Sequence, residues 1–148
     1  MKSTLSVVLS VHNEQDHLEA AIQSVRPIVD EIIVVDNEST DKTQNVAKKY
    51  TDKVFDHKNT PLTLNKPKNF GFSKASGDWI LSLDADERVS KELAAEIKRV
   101  CDTSEVSQTS INGYWMPRKN LVFGKWLTSG IWYPDYQLRM FRRGKGRF

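Results

Sequence analysis

Cysteine occurs once, at Cys101, in a chain of 148 residues. An internal disulfide is thereby excluded, and a reducing cytosol is the expected setting. Cys101 lies near the end of a helical pattern, so burial is expected of it rather than reactivity. One cysteine and 3 histidines do not make a zinc-type ligand set. Long apolar runs are also missing. None reaches the length of a bilayer span, and Met1-Lys2-Ser3-Thr4 leads directly into a short strand-like run with no secretory leader in view. Glycine is sparse, at 7 residues. No G-x-G-x-x-G follows the first strand, which argues against a dinucleotide fold, and there is neither a Walker loop nor a serine elbow. A strong charge of one sign is lacking too, since the net charge is only +3. Its distribution is uneven, however. Arg139, Arg142, Arg143, Lys145 and Arg147 form a tail with no acid among them. Such a tail suits phosphates, nucleic acid or anionic lipid, or it is a cut end whose charges a longer chain would pair. The tail alone does not support a nucleic-acid partner.

What is present fits one globular domain with a real core: 39% hydrophobic and 28% charged residues. Strand-like and helix-like runs alternate. A first strand is expected over Leu5 to Ser10, then a helix from near Asp16 with Leu18, Ala21, Ile22 and Val25 as its apolar face. A second strand follows at Glu31 to Val35, then a helix over Lys42 to Tyr50 and a short strand at Val54-Phe55. A loop through Pro61 leads to a helix starting near Pro67 and ended by Gly77. The fourth strand is the Trp79 segment. Ser90 then caps a helix carrying Leu93, Ile97 and Val100. Residues 102–112 read as a polar loop, and Tyr136 to Arg142 as one more strand. This alternation predicts an α/β fold with a mostly parallel sheet and helices on both faces.

Sheets of that kind bind ligands outside the carboxyl ends of their strands. Three polar clusters follow such ends here: His12-Asn13-Glu14, Asp36-Asn37 and Asp84-Ala85-Asp86. They are expected to converge on one edge. Asp84 and Asp86, one residue apart, share a side if the backbone stays extended. Paired carboxylates at the end of a buried strand repel each other and are costly to desolvate. A hard divalent cation relieves both problems. The plain alternative is a solvated acidic loop capping the next helix.

The segments Ser6 to Glu14, Ile33 to Asp41 and Ala75 to Glu87 together resemble a family-2 glycosyltransferase of the GT-A, Rossmann-like fold. Gly113 to Arg118, Trp132 to Asp135 and Leu138 to Arg143 resemble a branch that includes bacterial lipopolysaccharide-core glucosyltransferases. The resemblance implies a nucleotide-diphosphate sugar donor, usually a UDP-sugar, and inversion at the anomeric carbon. It places Ser10, Asn13 and Glu14 in the first nucleotide loop, with His12 flanking it, and Asp36 and Asn37 at the base. Asp84 and Asp86 match the D-x-D motif that meets the ribose and a Mn2+ or Mg2+ ion on the diphosphate. Lys66, Lys68 and Asn69 are either phosphate contacts or solvated helix-start residues. His17 and His57 are expected at the surface. Trp115, Trp126 and Trp132 either stack on a sugar acceptor or pack in the core or against another subunit.

An inverting transfer needs a general base. The resemblance puts that carboxylate beyond a stretch like Gly146-Arg147-Phe148, so the fold is expected to be incomplete at the C-terminus. Asp135 is the one late carboxylate in the chain, and it is read as a surrogate base or an acceptor contact. Residues 1–101 are read as the nucleotide-sugar-binding half. Residues 102–148 are read as the start of the acceptor side of the same domain. The expected acceptor is a cell-envelope glycan or a lipid-linked glycan. The expected setting is cytoplasmic, peripheral at the inner face of the membrane, with homo-oligomers allowed by open strand edges.

Overall fold

The computed structural model describes residues 2–60, 63, 65–103, 111–130 and 133–148. Four strands form the parallel part: β1 (Leu5–Val11), β2 (Glu31–Asp36), β3 (Val54–Asp56) and β4 (Trp79–Ser82). The helices between them are α1 (Leu18–Val25), α2 (Thr43–Lys48) and α3 (Asn65–Lys74), and α4 (Lys91–Asp102) follows β4. Next come β5 (Gly113–Arg118), a small hairpin of β6 (Leu121–Val122) and β7 (Lys125–Trp126), and β8 (Asp135–Arg142). The main sheet has the order β3-β2-β1-β4-β8-β5. Only β8 reverses direction: it is antiparallel to both β4 and β5, so the edge strand β5 again runs the same way as β4.

The alternation along β1 explains why helices cover both faces. Leu5, Val7, Leu9 and Val11 point into one layer with Leu18, Ile22 and Ile97 from α1 and α4. Val8 points the other way, with Ile33, Val35, Ile80 and Phe72 of α3. Met140 and Phe141 of β8 are buried in opposite layers, while the rest of this antiparallel strand is half-buried or exposed, unlike the fully buried β4. Helix α3 lies directly on the sheet: a Cβ on Gly71 would stand 2.4 Å from Val8 Cγ1.

Several boundaries differ from the expected ones. Helix α3 begins at Asn65, which sets Pro67 in its first turn as expected, where a missing N–H has no intrahelical partner to lose. It ends at Lys74, so Gly77 is not its stop. Gly77 is needed for a different reason, since a Cβ there would meet Ser6 Oγ at 2.7 Å and Ser6 N at 2.8 Å. Helix α4 runs through Asp102, one residue into the expected loop, and residues 104–110 of that loop lie outside the described ones. Ser90 caps α4 as expected, its Oγ accepting from Leu93 N at 3.2 Å. Cys101 is buried, and desolvation pushes its thiol up to about 11, so it stays protonated at neutral pH.

Candidate functional site

Parallel pairing sets the ends of β1, β2 and β4 side by side. Val11 lies opposite Asp36, and Val8 opposite Ser82. At the ends of β1 and β2 the backbone leaves the sheet through left-handed residues, Asn13 at φ 54° and Glu38 at φ 55°. Asparagine tolerates that region better than most residues. The two turns are stitched together. Asn13 Oδ1 accepts from Thr40 N at 2.8 Å, and Asn13 N donates to Ser39 Oγ at 2.9 Å. Asn37 Nδ2 donates to Ser10 Oγ at 3.0 Å and to Val11 O at 2.8 Å.

His12 Nδ1 lies 2.7 Å from Asn37 O, an atom that only accepts. Its proton therefore sits on Nδ1, and Nε2 accepts from Asn13 Nδ2 at 3.3 Å. Glu14 is turned away into the start of α1, where its carboxylate meets His17 at 3.0 Å and its carbonyl accepts from Leu18 N at 2.9 Å. His57, expected at the surface, is half-buried against Phe70, with ring centres 5.5 Å apart.

Asp36 is fully buried and Asn37 nearly so. Asp36 Oδ2 accepts from Ser39 N at 3.1 Å and Gln44 Nε2 at 2.9 Å. Asp36 Oδ1 and Asn37 Oδ1 are buried without a partner among the described residues. The Asn37 amide is held in this orientation because Val11 O requires a donor, which Nδ2 supplies and Oδ1 cannot. Buried acceptors left open in this way call for a donor from outside the chain.

The acidic cluster takes a different shape from the expected one. Strand β4 stops at Ser82, and Asp84 to Glu87 form a turn in which Glu87 N donates to Asp84 O at 3.0 Å. Strand alternation therefore does not set the sides of Asp84 and Asp86. Asp84 Oδ1 pairs with Lys68 Nζ at 2.6 Å and Oδ2 with Arg139 Nη2 at 2.8 Å. Burial works to raise the Asp84 pKa, but Lys68 and Arg139 outweigh it and hold the carboxyl below its ordinary range. Asp86 is exposed, with no hydrogen-bond or ion-pair partner among the described residues. The Asp84 turn and the Ser10–Asn37 knot share an edge, but no hydrogen bond joins Asp84 or Asp86 to that knot.

Asp135 opens β8 at the same edge. Arg118 Nε and Nη2 both donate to its Oδ2, at 2.9 and 2.6 Å, and Gln137 Nε2 donates to Oδ1 at 2.7 Å. Hydrogen bonds from Gln137 and Arg118 lower its pKa. Among the tryptophans, Trp115 and Trp126 are 65% and 60% exposed, which rules out a core role for both, and Trp132 lies outside the described residues. Sequence reasoning missed Arg139, Glu87 and Arg118 as parts of the site edge. The unbroken basic tail drew attention to free charge, whereas Arg139 is ion-paired and Arg142 stacks on Trp79 at 4.5 Å.

The profile of glycosyl transferase family 2 matches residues 6–146. The chain belongs to this family. An uncharacterized glycosyltransferase of Rickettsia typhi is 42% identical over 96 residues, covering 65% of this chain and 32% of its own length. The lipopolysaccharide core biosynthesis glycosyltransferase LpsC of Rhizobium meliloti is 29% identical, covering 99% of this chain and 54% of its own length. The chain thus spans about a third of the length of the first of these relatives. Among solved structures, Staphylococcus aureus TarS 1–349 in complex with UDP-GlcNAc aligns with TM-score 0.54 and 25% identity, over 63% of this chain and 29% of that one. The glucosyl-3-phosphoglycerate synthase of Mycobacterium tuberculosis, in complex with Mg2+ and UDP, aligns with TM-score 0.50 and 28% identity, over 58% and 35%. Their fold is the GT-A fold, and the family-2 chain shares its mostly parallel sheet with helices on both faces.

For a metal, the family-2 site offers an open set. No three His, Cys, Asp or Glu side chains gather as a closed cage among the described residues. Magnesium-type ions bound with a nucleotide need only one or two carboxylates, the rest coming from phosphate and water. Asp86, with its carboxylate open, fits that requirement; Asp84 is occupied by two cations.

Proposed function

We propose that this chain carries the donor-binding part of an inverting glycosyltransferase that takes a sugar from a UDP-linked donor. The observation that supports this most is the pair of buried, open acceptors, Asp36 Oδ1 and Asn37 Oδ1, on the same strand edge as the Asp84 turn. A uracil ring edge carries an N–H donor and suits an open acceptor. Ser10, His12 and Asn13 hold the first loop against that pocket. Asp84 meets the ribose side of the donor, and Asp86 holds the divalent ion, Mn2+ or Mg2+. That ion supplies Lewis-acid neutralisation of charge on the leaving diphosphate. Lys68 stands beside Asp84 and adds a fixed positive charge to the same place.

The general base is a group other than Asp135 in this reading. A base must take up a proton, and a carboxylate held by an arginine fork resists doing so. The acceptor is a cell-envelope or lipid-linked glycan, in keeping with the LpsC relative. Residues 119–130 contain lysines and no acid, and Phe123 there is fully exposed, which favours peripheral contact with an anionic membrane face on the cytoplasmic side.

Calorimetric titration of UDP, with GDP as comparison and with and without manganese, tests the reading on the wild type and on Asp86→Ala. Manganese-dependent UDP binding that falls at least about tenfold in Asp86→Ala is the expected result. No binding of either nucleotide by the wild type refutes the donor site. Release of sugar from the donor without acceptor marks an enzyme. Binding without any turnover marks a non-catalytic nucleotide-sugar module instead.

A further inference from the structure

Arg139 is the least exposed cation in the ion-pair network at this edge, with a side chain only 12% exposed. It is placed there by topology: β8 returns antiparallel beside β4, with Leu81 opposite Met140, so residue 139 comes level with the point where β4 runs out. Its Nη2 donates to Asp84 Oδ2 at 2.8 Å and also to Glu87 Oε1. Glu87 in turn accepts from Asp84 N at 3.1 Å through its other oxygen and pairs with Arg118 Nη1 at 3.4 Å. Arg118 holds Asp135. One guanidinium therefore grips both ends of the turn that carries Asp86, while its strand neighbours Met140 and Phe141 do the apolar packing.

A charge withdrawn from water in this way is retained at a cost unless it is paired. The pairing holds together a surface turn rather than the apolar core, so its purpose lies beyond packing. We infer that Arg139 is a positioning residue. It fixes the Asp84–Glu87 turn so that Asp86 faces the divalent ion on a nucleoside diphosphate. Through Glu87 and Arg118 it also ties that turn to the strand pair β5–β8. The inference rests on the donor site proposed above. In the free protein the turn is preorganised by two opposed grips: Lys68 of α3 holds one oxygen of Asp84, and Arg139 of β8 holds the other. Preorganisation of this kind spares the ordering cost at binding.

The test compares the wild type with Arg139→Met, Arg139→Lys and Glu87→Gln in the full chain. Amide exchange of residues 84–88, without ligand, is expected to quicken about fivefold or more in Arg139→Met. The manganese-dependent increment in UDP affinity is expected to fall about tenfold. Metal-free UDP binding, which rests on Asp36 and Asn37 as well as on the ribose contact of Asp84, falls by a clearly smaller factor than the metal-dependent increment, a split that general unfolding does not produce. Arg139→Lys restores part of the increment, because an ammonium reaches one carboxylate but lacks the planar fork. Glu87→Gln keeps the side-chain shape and moves both readouts in the same direction, which covers the case of a poorly folding methionine variant. Unchanged exchange in the turn overturns the inference. Equal loss of metal-free and metal-dependent binding overturns it too. Absence of UDP binding by the wild type refutes the donor reading, and the exchange measurement still decides the role of Arg139 in the turn.

Discussion

Glu31 sits at the opposite edge of the sheet from the candidate site, and its replacement by glutamine should weaken the fold without touching that site. Its carboxylate takes hydrogen bonds from Ser6 Oγ, from Lys53 Nζ, and from Ser76 N and Oγ at 2.9 Å each. Ser6 belongs to β1, Lys53 leads into β3, and Ser76 precedes β4, so one side chain joins the approaches to three strands. Burial alone would raise its pKa. The bonds from Lys53, Ser6 and Ser76 outweigh burial and lower the value from 4.5 to about 2. A shift of this size corresponds to about 3 kcal/mol of folding stability. Lys53 is half exposed, so screening trims the usable part to roughly 2 kcal/mol. The group is more acidic folded than unfolded. Its contribution is therefore complete above about pH 4.5 and is lost as pH falls toward 2. Glutamine keeps one acceptor and sets an amide N–H₂ against donors, so Glu31→Gln should melt about 7 °C lower at pH 7. The gap between the two proteins should shrink steadily below pH 4.5 in thermal melts followed by circular dichroism. UDP affinity at 20 °C, roughly room temperature, should not change. Equal melting temperatures at pH 7, or a gap that does not close in acid, would refute the reasoning.

Two shorter predictions accompany it. Gly71→Ala drives a methyl against Val8 Cγ1 at 2.4 Å and Val35 Cγ2 at 3.0 Å. Overpacking should outweigh the better helix propensity of alanine and cost about 1–2 kcal/mol, read as a lower urea midpoint. Asp135→Asn should leave acceptor-independent UDP release and its pH profile within about threefold of the wild type. A loss of about a hundredfold with disappearance of the acidic limb would make Asp135 the base after all.

The parallel half of the fold was readable because its strands carry bounded apolar runs and α1 and α4 carry periodic faces, whereas α3 was marked only by its proline. Leu18, Ala21, Ile22 and Val25 of α1 are all buried, as their spacing implies. Position within the sheet was not readable for β8. Its strand character is local, but its place between β4 and β5 depends on pairing with segments far away in sequence. The turn after β4 shows the same limit. The local sequence announces two carboxylates, yet their conformation is set by Lys68, Arg139 and Arg118, which come from α3, β8 and β5. The orphan acceptors of Asp36 and Asn37 also escape the sequence, because a missing partner is visible only once all neighbours are placed.

The antiparallel insertion of β8 between β4 and β5 also decides where the chain can vary. Strand β5 ends and β8 begins at the edge where β4 runs out, so the chain leaves the sheet after Arg118 and re-enters it at Asp135, beside the candidate site. The hairpin β6–β7 is mounted on this excursion, outside the hydrogen-bonded ladder of the main sheet. Lengthening, shortening or exchanging the excursion leaves every strand pairing in place. What surrounds the candidate site can therefore change with one surface excursion while the strand framework beneath it stays as it is.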